Sequence, residues 1–290
     1  MKAMYERYPE ILFVDTTYCL NNIKYPALAM VVQDEDGHSY PVCIIIIAYE
    51  RNALLDECFQ MFVENNPESV GKTVAIMIDK DLKEDDMLSK NFPKARILYC
   101  VWHVLKSFKK NFSKKSEAFR LLQRMSYSMT LEEYNKHLIE FEKIASCDGL
   151  KYFKDNWECC LEKWVKYHRI GLKIRDNNTN NAVESINNQF KSFVGKNQRI
   201  SVCLERIFAY LTFAFNKYDY KRVISLTRKS RYNSNSSDSN VAKFFELTNK
   251  KNAEWLALQF ELSEINYDVN IVKDFILKDI FLNLFCRFFC

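Results

Sequence analysis

Residues 72–88 read KTVAIMIDKDLKEDDML. Five apolar side chains in succession, Val74 to Ile78, run directly into Asp79 and then into an acidic helix start. A short unbroken apolar run of this kind is expected of a strand covered on both faces. An ionised carboxylate at the tip of such a strand is costly unless it is paired or binds a metal. The partner of Asp79 has to come from elsewhere in the chain.

Upstream lie three β-rich runs, ILFVDTTY (11–18), YPALAMVVQ (25–33) and SYPVCIIIIA (39–48). The Asp-Gly pair in DEDGHS, between the second and third, marks a hairpin turn. RNALLDECFQMFVENN (51–66) then reads as an amphipathic helix with Leu54, Leu55, Cys58, Phe62 and Val63 on one face. Downstream of Asp79 come a short acidic helix and a fifth strand, ARILYC (95–100), after which the pattern is helical from Trp102 onward. The resulting order, three strands, helix, strand, helix, strand (β1-β2-β3-αA-β4-αB-β5), describes an α/β protein with a mixed sheet. It is the order of the ribonuclease H-like fold. In such a sheet the first and fourth strands are neighbours, which would bring Asp15, inside the first, towards Asp79.

A third acid is offered by NNTNNAVESINNQFKSFVG (177–195), where Val183, Ile186, Phe190 and Phe193 or Val194 form an apolar stripe beside Glu184. Gly195 is the expected stop of that helix. Simpler roles exist for two of the acids. Asp79 suits the start of the following helix, and Asn181 with Glu184 has the spacing of a capping box. Asp15, within an apolar strand, has no cap to make.

The bulk composition sets the limits. A chain of 290 residues forms one large domain or two modest ones. With 5 Gly and 5 Pro, long helices are favoured over a loop-rich all-β fold. The net charge of +5 permits nucleic-acid binding without requiring it. MKAMYERYPEIL at the start has no signal-peptide apolar core, so the 10 cysteines are expected as reduced thiols in the cytosol or nucleus. FILKDIFLNLFCRFFC at the end is interrupted by Lys278, Asp279 and Arg287, too short a run to span a bilayer comfortably. It reads as a helix whose packing partner lies beyond the end of the chain.

Cys100 and His103 form a C-x-x-H pair, but two ligands do not complete a structural zinc site, and the spacing of His168, Cys159 and Cys160 does not supply the rest. No structural zinc is expected. The pair is expected to pack beneath the acids, with His103 near the reacting phosphate, and Trp102 to be a core residue. Two basic stretches suit phosphate contacts, each with a solvated helix face as the plainer reading. One holds Lys106, Lys109, Lys110, Lys114 and Lys115, and the other Lys217, Lys221, Arg222, Arg228, Lys229 and Arg231.

FVDTTYCLNNIKYPALAMVVQDEDGHSYPV, IDKDLKEDDMLSKNFPKARILYCVWHVLKSF and NNAVESINNQFK together resemble the Mutator-like element transposase domain. That domain also occurs in zinc-finger SWIM-domain proteins and far-red-response regulators. The resemblance spans about residues 10 to 215 and implies that Asp15, Asp79 and Glu184 occupy the family's DDE catalytic positions. Cys100 and His103 match its C-x-x-H motif. It further implies two Mg²⁺ (or Mn²⁺) ions about 4 Å apart, DNA as the partner, a nuclear location, and no small-molecule cofactor or membrane. A homodimer or higher oligomer is left open. The implied organisation is a ribonuclease H-like core beginning at 1–103, an all-helical insertion at 104–170, and the returning catalytic helix with further core helices at 171–225. A Ser/Asn-rich loop at 226–240 and a truncated helical segment at 241–290 follow. No SWIM-type cysteine pattern is present, so a decayed or partial copy, or a regulator that keeps the fold without catalysis, is the alternative to a working enzyme.

Overall fold

The computed structural model describes residues 1–17, 20–48, 52–80, 82–172, 174, 177–195 and 197–232. The chain divides into two compact units, Met1–Tyr210 and Leu211–Cys290. The first contains β1 (Ile11–Thr17), β2 (Ala27–Gln33), β3 (Ser39–Ile46), β4 (Ala75–Ile78) and β5 (Arg96–Tyr99). They form one mixed sheet in the order β3-β2-β1-β4-β5. β1–β2 and β2–β3 are antiparallel, while β1–β4 and β4–β5 are parallel. Consecutive antiparallel strands need only short turns. The turn between β2 and β3 is closed by Asp34, whose Oδ1 accepts from the Asp36 and His38 amides, and Gly37 takes a positive φ of 82°.

The parallel strands need crossovers. α1 (Lys2–Arg7), which the sequence did not announce, precedes the sheet; α2 (Asn52–Asn65) and the short α3 (Pro67–Val70) lead from β3 to β4, and α4 (Leu82–Asn91) leads from β4 to β5. Leu55, Cys58, Phe59 and Phe62 form the buried face of α2, one step round from the face read from the sequence, since Leu54 and Val63 are only half-buried. All four β4 residues are buried. At about 25 cal/mol per Å² of apolar surface, that burial is what holds so short a strand in the sheet.

Beyond β5 the unit is helical: α5 (Val101–Asn111), α6 (Glu117–Tyr127), α7 (Leu131–Ile144), α8 (Cys147–Asn156) and α9 (Leu161–Trp164). α6, α7 and α8 each start on a hydroxyl cap, Ser116, Thr130 and Ser146, which accepts from the amide three residues on. Their shared core is aromatic. Phe108 meets Trp157 and Trp164 edge-on at 5.0 and 5.7 Å, and Phe141 meets Phe112 and Phe153 at 5.7 and 5.2 Å. Gly149 lets α8 approach, because a Cβ there would stand 2.8 Å from Phe112.

A buried polar cluster fastens these helices to the sheet. Asp85 Oδ2 accepts from Lys163 Nζ at 2.8 Å and from the Tyr99 hydroxyl. Arg169, also buried, donates through Nη2 to the carbonyls of Tyr99 (2.5 Å) and Lys163 (2.7 Å). The chain then returns as α10 (Asn181–Val194), lying on β1, β2 and β3 through Val183, Ile186, Phe190 and Val194. Phe193, the other sequence candidate for that stripe, is exposed. Gly195 ends α10 with φ 81°.

α11 (Ile200–Tyr232) begins in the first unit. It is helical through Tyr232, so the first part of the stretch expected as a loop, 226–232, is helix. A Ser/Asn-rich composition did not outweigh the helix formers just before it. The remainder, 233–240, and the expected segment 241–290 lie outside the described residues.

Candidate carboxylate site

The β1–β4 register pairs Ile11 with Ala75, Leu12 with Ile76 and Phe13 with Met77. Continued two residues, the same offset sets Asp15 level with Asp79, just past the end of β4. Registered residues of parallel neighbours point to the same face, so both carboxylates emerge together. Asp79 stands at the tip of the strand, one residue beyond the end of β4.

The third acid arrives from α10. Asn178 and Asn180 lace the segment before this helix to the ends of the strands. The Asn178 carbonyl accepts from the Val101 amide at 2.9 Å. The Asn180 amide approaches Cys100 Sγ at 3.2 Å, and Asn180 Nδ2 donates to the Val14 carbonyl at 3.2 Å. Asn180 is the N-cap residue but makes no side-chain cap bond, because its side chain serves β1. The capping box between Asn181 and Glu184 is therefore not the organising feature of this end.

His103 joins the acids. Its Nδ1 lies 2.5 Å from Asp79 Oδ1 and its Nε2 3.7 Å from Glu184 Oε1. One turn along α10, Asn187 Nδ2 donates to Asp15 Oδ2 at 2.8 Å. Asp15, Asp79 and Glu184 are thus gathered by two intermediaries, His103 and Asn187. The expectation that His103 packs beneath the acids is corrected: it stands between two of them, 22% exposed. Cys100 is the buried member of the pair, at the N-cap of α5.

Electrostatics make the cluster strained. Burial and the neighbouring Asp79 push the Asp15 carboxyl up to about 6, against the Asn187 hydrogen bond that favours its ionised form. Burial opposes a charged His103, yet Asp79 and Cys100 outweigh it and hold the imidazole up at about 10. Despite the short ionic contact, Asp79 Oδ1, His103 Nδ1 and Glu184 Oε1 are buried atoms with no hydrogen bond of acceptable geometry. Buried carboxylate oxygens that share one imidazole have acceptor capacity left, which a cation would satisfy. Ligand atoms of Asp79, Cys100 and His103 also lie within 4.8 Å of one another, the one such group among the described residues.

Glu184 borders an open groove of about 510 Å³ along α10, lined also by Asn181, Ser185, Asn188, Gln189 and Ser192. Lys106, Lys109 and Lys110 are exposed on α5, with Lys114 and Lys115 exposed in the turn after it. On α11, Lys217 is exposed and Lys221 half-buried, both in the second unit. The side chains of Arg222, Arg228, Lys229 and Arg231 lie outside the description. Trp102, expected in the core, is 48% exposed, because Val101, Val104 and Phe108 take the inward face of α5. Sequence reasoning missed Asn180, Asn187 and Arg169. Asn187 had a signal, standing three residues after Glu184 on the same helix face.

These features define an α/β domain built on a mixed five-stranded sheet. Residues 1–98 match the family model of the RNaseH-like domain of zinc finger SWIM domain-containing protein 1/3. The match supports a SWIM-protein-related ribonuclease H-like family for this sheet. It contains Asp15 and Asp79 and stops before Cys100, His103 and Glu184. Among the described residues no helix is long and apolar enough to cross a membrane.

Proposed function

We propose that this chain carries a transposase-derived DDE-type centre, in which Asp15, Asp79 and Glu184 hold divalent cations and act on the phosphodiester backbone of DNA. The observation that carries the reading is the convergence of three acids from β1, the end of β4 and α10, with Asp79 Oδ1 and Glu184 Oε1 both buried and facing a single imidazole, His103. The hard oxygen donors suit Mg²⁺ or Mn²⁺ better than zinc. Two such ions, when bound, supply Lewis-acid stabilisation of the attacking and leaving oxygens of a phosphodiester. Asn187 keeps Asp15 turned towards its partners, and His103 holds Asp79 and Glu184 in reach of each other. The helices between β5 and α10 stand as an insertion into the ribonuclease H-like core, and Arg169 and Asp85 fix where it re-enters. DNA is the partner and the nucleus the setting that fit this reading. The test is nicking and strand joining of plasmid DNA with Mg²⁺ or Mn²⁺. Wild type should show divalent-dependent products and Asp79→Asn none; metal-independent or absent cleavage by wild type would refute catalysis.

One observation favours the second reading, a domesticated regulator that keeps the fold. His103 already contacts both Asp79 and Glu184, supplying a positive charge between them without any metal. On that reading DNA is bound but not cut, and His103→Ala destabilises the fold while divalent ions have no effect.

A further inference from the structure

Trp102 and Lys106 stand at the edge of the carboxylate site, outside the buried face of α5. The inward face of α5 is complete with Val101, Val104 and Phe108, all buried. Trp102 projects the other way and is 48% exposed, whereas Trp157 and Trp164 are 2% and 0% exposed. Leaving a large aromatic ring half in water forgoes apolar burial, and tryptophan is enriched among the residues that carry binding energy. The ring stands edge-on to the His103 imidazole with centroids 4.6 Å apart. Through His103 it is therefore one side chain away from Asp79 and Glu184.

Charge continues from that point. Lys106 Nζ lies 4.9 Å from the Trp102 ring centroid, and Lys109 and Lys110 follow at the helical spacings that keep them on the exposed side of α5. No acidic residue interrupts Val101–Asn111. Trp102 to Lys110 spans about 12 Å at 1.5 Å per residue, the reach of roughly two nucleotides of extended strand. An aromatic platform followed by a line of cations matches how single strands are held, with a base stacked on the ring and phosphates on the lysines. A paired base inside a duplex does not present its face to such a ring, so the occupant is an unpaired or flipped base.

We propose that Trp102 is a nucleobase subsite that stacks an unpaired DNA base next to the phosphate held at the carboxylate cluster, with Lys106, Lys109 and Lys110 taking the adjoining phosphates. This rests on the DNA reading of the preceding subsection. Lys106, flexible and lying over the ring, moves from the ring to a phosphate when the base arrives.

The test is binding of a labelled single-stranded oligonucleotide and of its duplex to the full chain, by fluorescence anisotropy at low salt in EDTA, so that no cleavage intervenes. Trp102→Ala should weaken single-strand binding on the order of tenfold and duplex binding far less, while Trp102→Phe keeps most of the affinity. Lys106→Ala should weaken both ligands alike and flatten the salt dependence. Tryptophan emission should be quenched by the single strand in wild type, and the quenching should be much reduced in Trp102→Phe. Equal single-strand affinity of wild type and Trp102→Ala, or equal losses on single strand and duplex, would overturn the subsite and leave the DNA reading standing. Wild type that binds neither ligand overturns both. Because Trp102 is exposed, an unchanged melting temperature is expected for both variants, and a lowered one would mark a packing role instead.

Discussion

Within the stretch from 72 to 88, the acids Asp79 and Asp85 have opposite surroundings. Asp85 is 4% exposed and fully engaged: Lys163 and Tyr99 donate to one oxygen and Ser89 Oγ lies 3.4 Å from the other. Asp79 is about a third exposed, yet its Oδ1 has only a poorly aligned contact with His103. Asp85 is compensated by the protein's own donors and works as a rivet between α4, β5 and the helices after β5. Asp79 is gathered with Asp15 and Glu184 and left short of donors. Burial by itself does not distinguish a structural acid from a functional one. The completeness of its hydrogen bonding does.

The largest effect should come from breaking the rivet. Asp85→Ala leaves Lys163 and the Tyr99 hydroxyl without their acceptor and should cost about 3 kcal/mol. Urea unfolding followed by tryptophan emission would measure it, since Trp157 and Trp164 lie in the same region. Asp79→Asn should cost far less in the same assay. Equal losses for the two substitutions would erase the contrast.

A smaller effect, of opposite sign, is expected at Asp15. Its folded-state pKa of about 6 lies above the ordinary aspartate value of 3.8. The folded state therefore keeps this proton to higher pH than the unfolded chain. Stability falls as pH rises from about 4 to about 6 and stays lower above that. Asp15→Asn should remove this loss, giving a metal-free protein more stable than wild type at pH 7 and flattening that part of the profile. His103 acts in the next window. Its raised pKa gives stability that is fully present below about 6.5 and lost as pH climbs through about 10. A stability profile in His103→Ala that still declines above pH 7 as in wild type would contradict that assignment.

The same contrast explains what the sequence disclosed. Asp15 was legible because an acid within an apolar strand has no cap to make, and Asp79, which also suited a helix start, because its strand runs beside that of Asp15. The mixed sheet was legible from alternating strand and helix patterns. The position of His103 was not, because the C-x-x-H spacing says nothing about which side of α5 the imidazole takes. Helical spacing did contain the answer for Trp102, since Val101, Val104 and Phe108 already fill the inward face. Arg169 and Asp85 were hidden for a different reason. Their partners, Tyr99, Lys163 and Asn178, are brought close only by the packing of the helices after β5, and Asp85 looked like one more charge in an acidic helix start.

Calorimetric titration of the metal-free protein with Mn²⁺, beside Asp79→Asn and Asp85→Asn, bears most directly on the under-satisfied site. The expected result is saturable binding by wild type and by Asp85→Asn, accompanied by a rise in melting temperature that grows with free Mn²⁺ as mass action requires, and loss of both in Asp79→Asn. Wild type that takes up no Mn²⁺, or Asp79→Asn that takes it up as well as wild type does, would contradict a cation site at Asp15, Asp79 and Glu184.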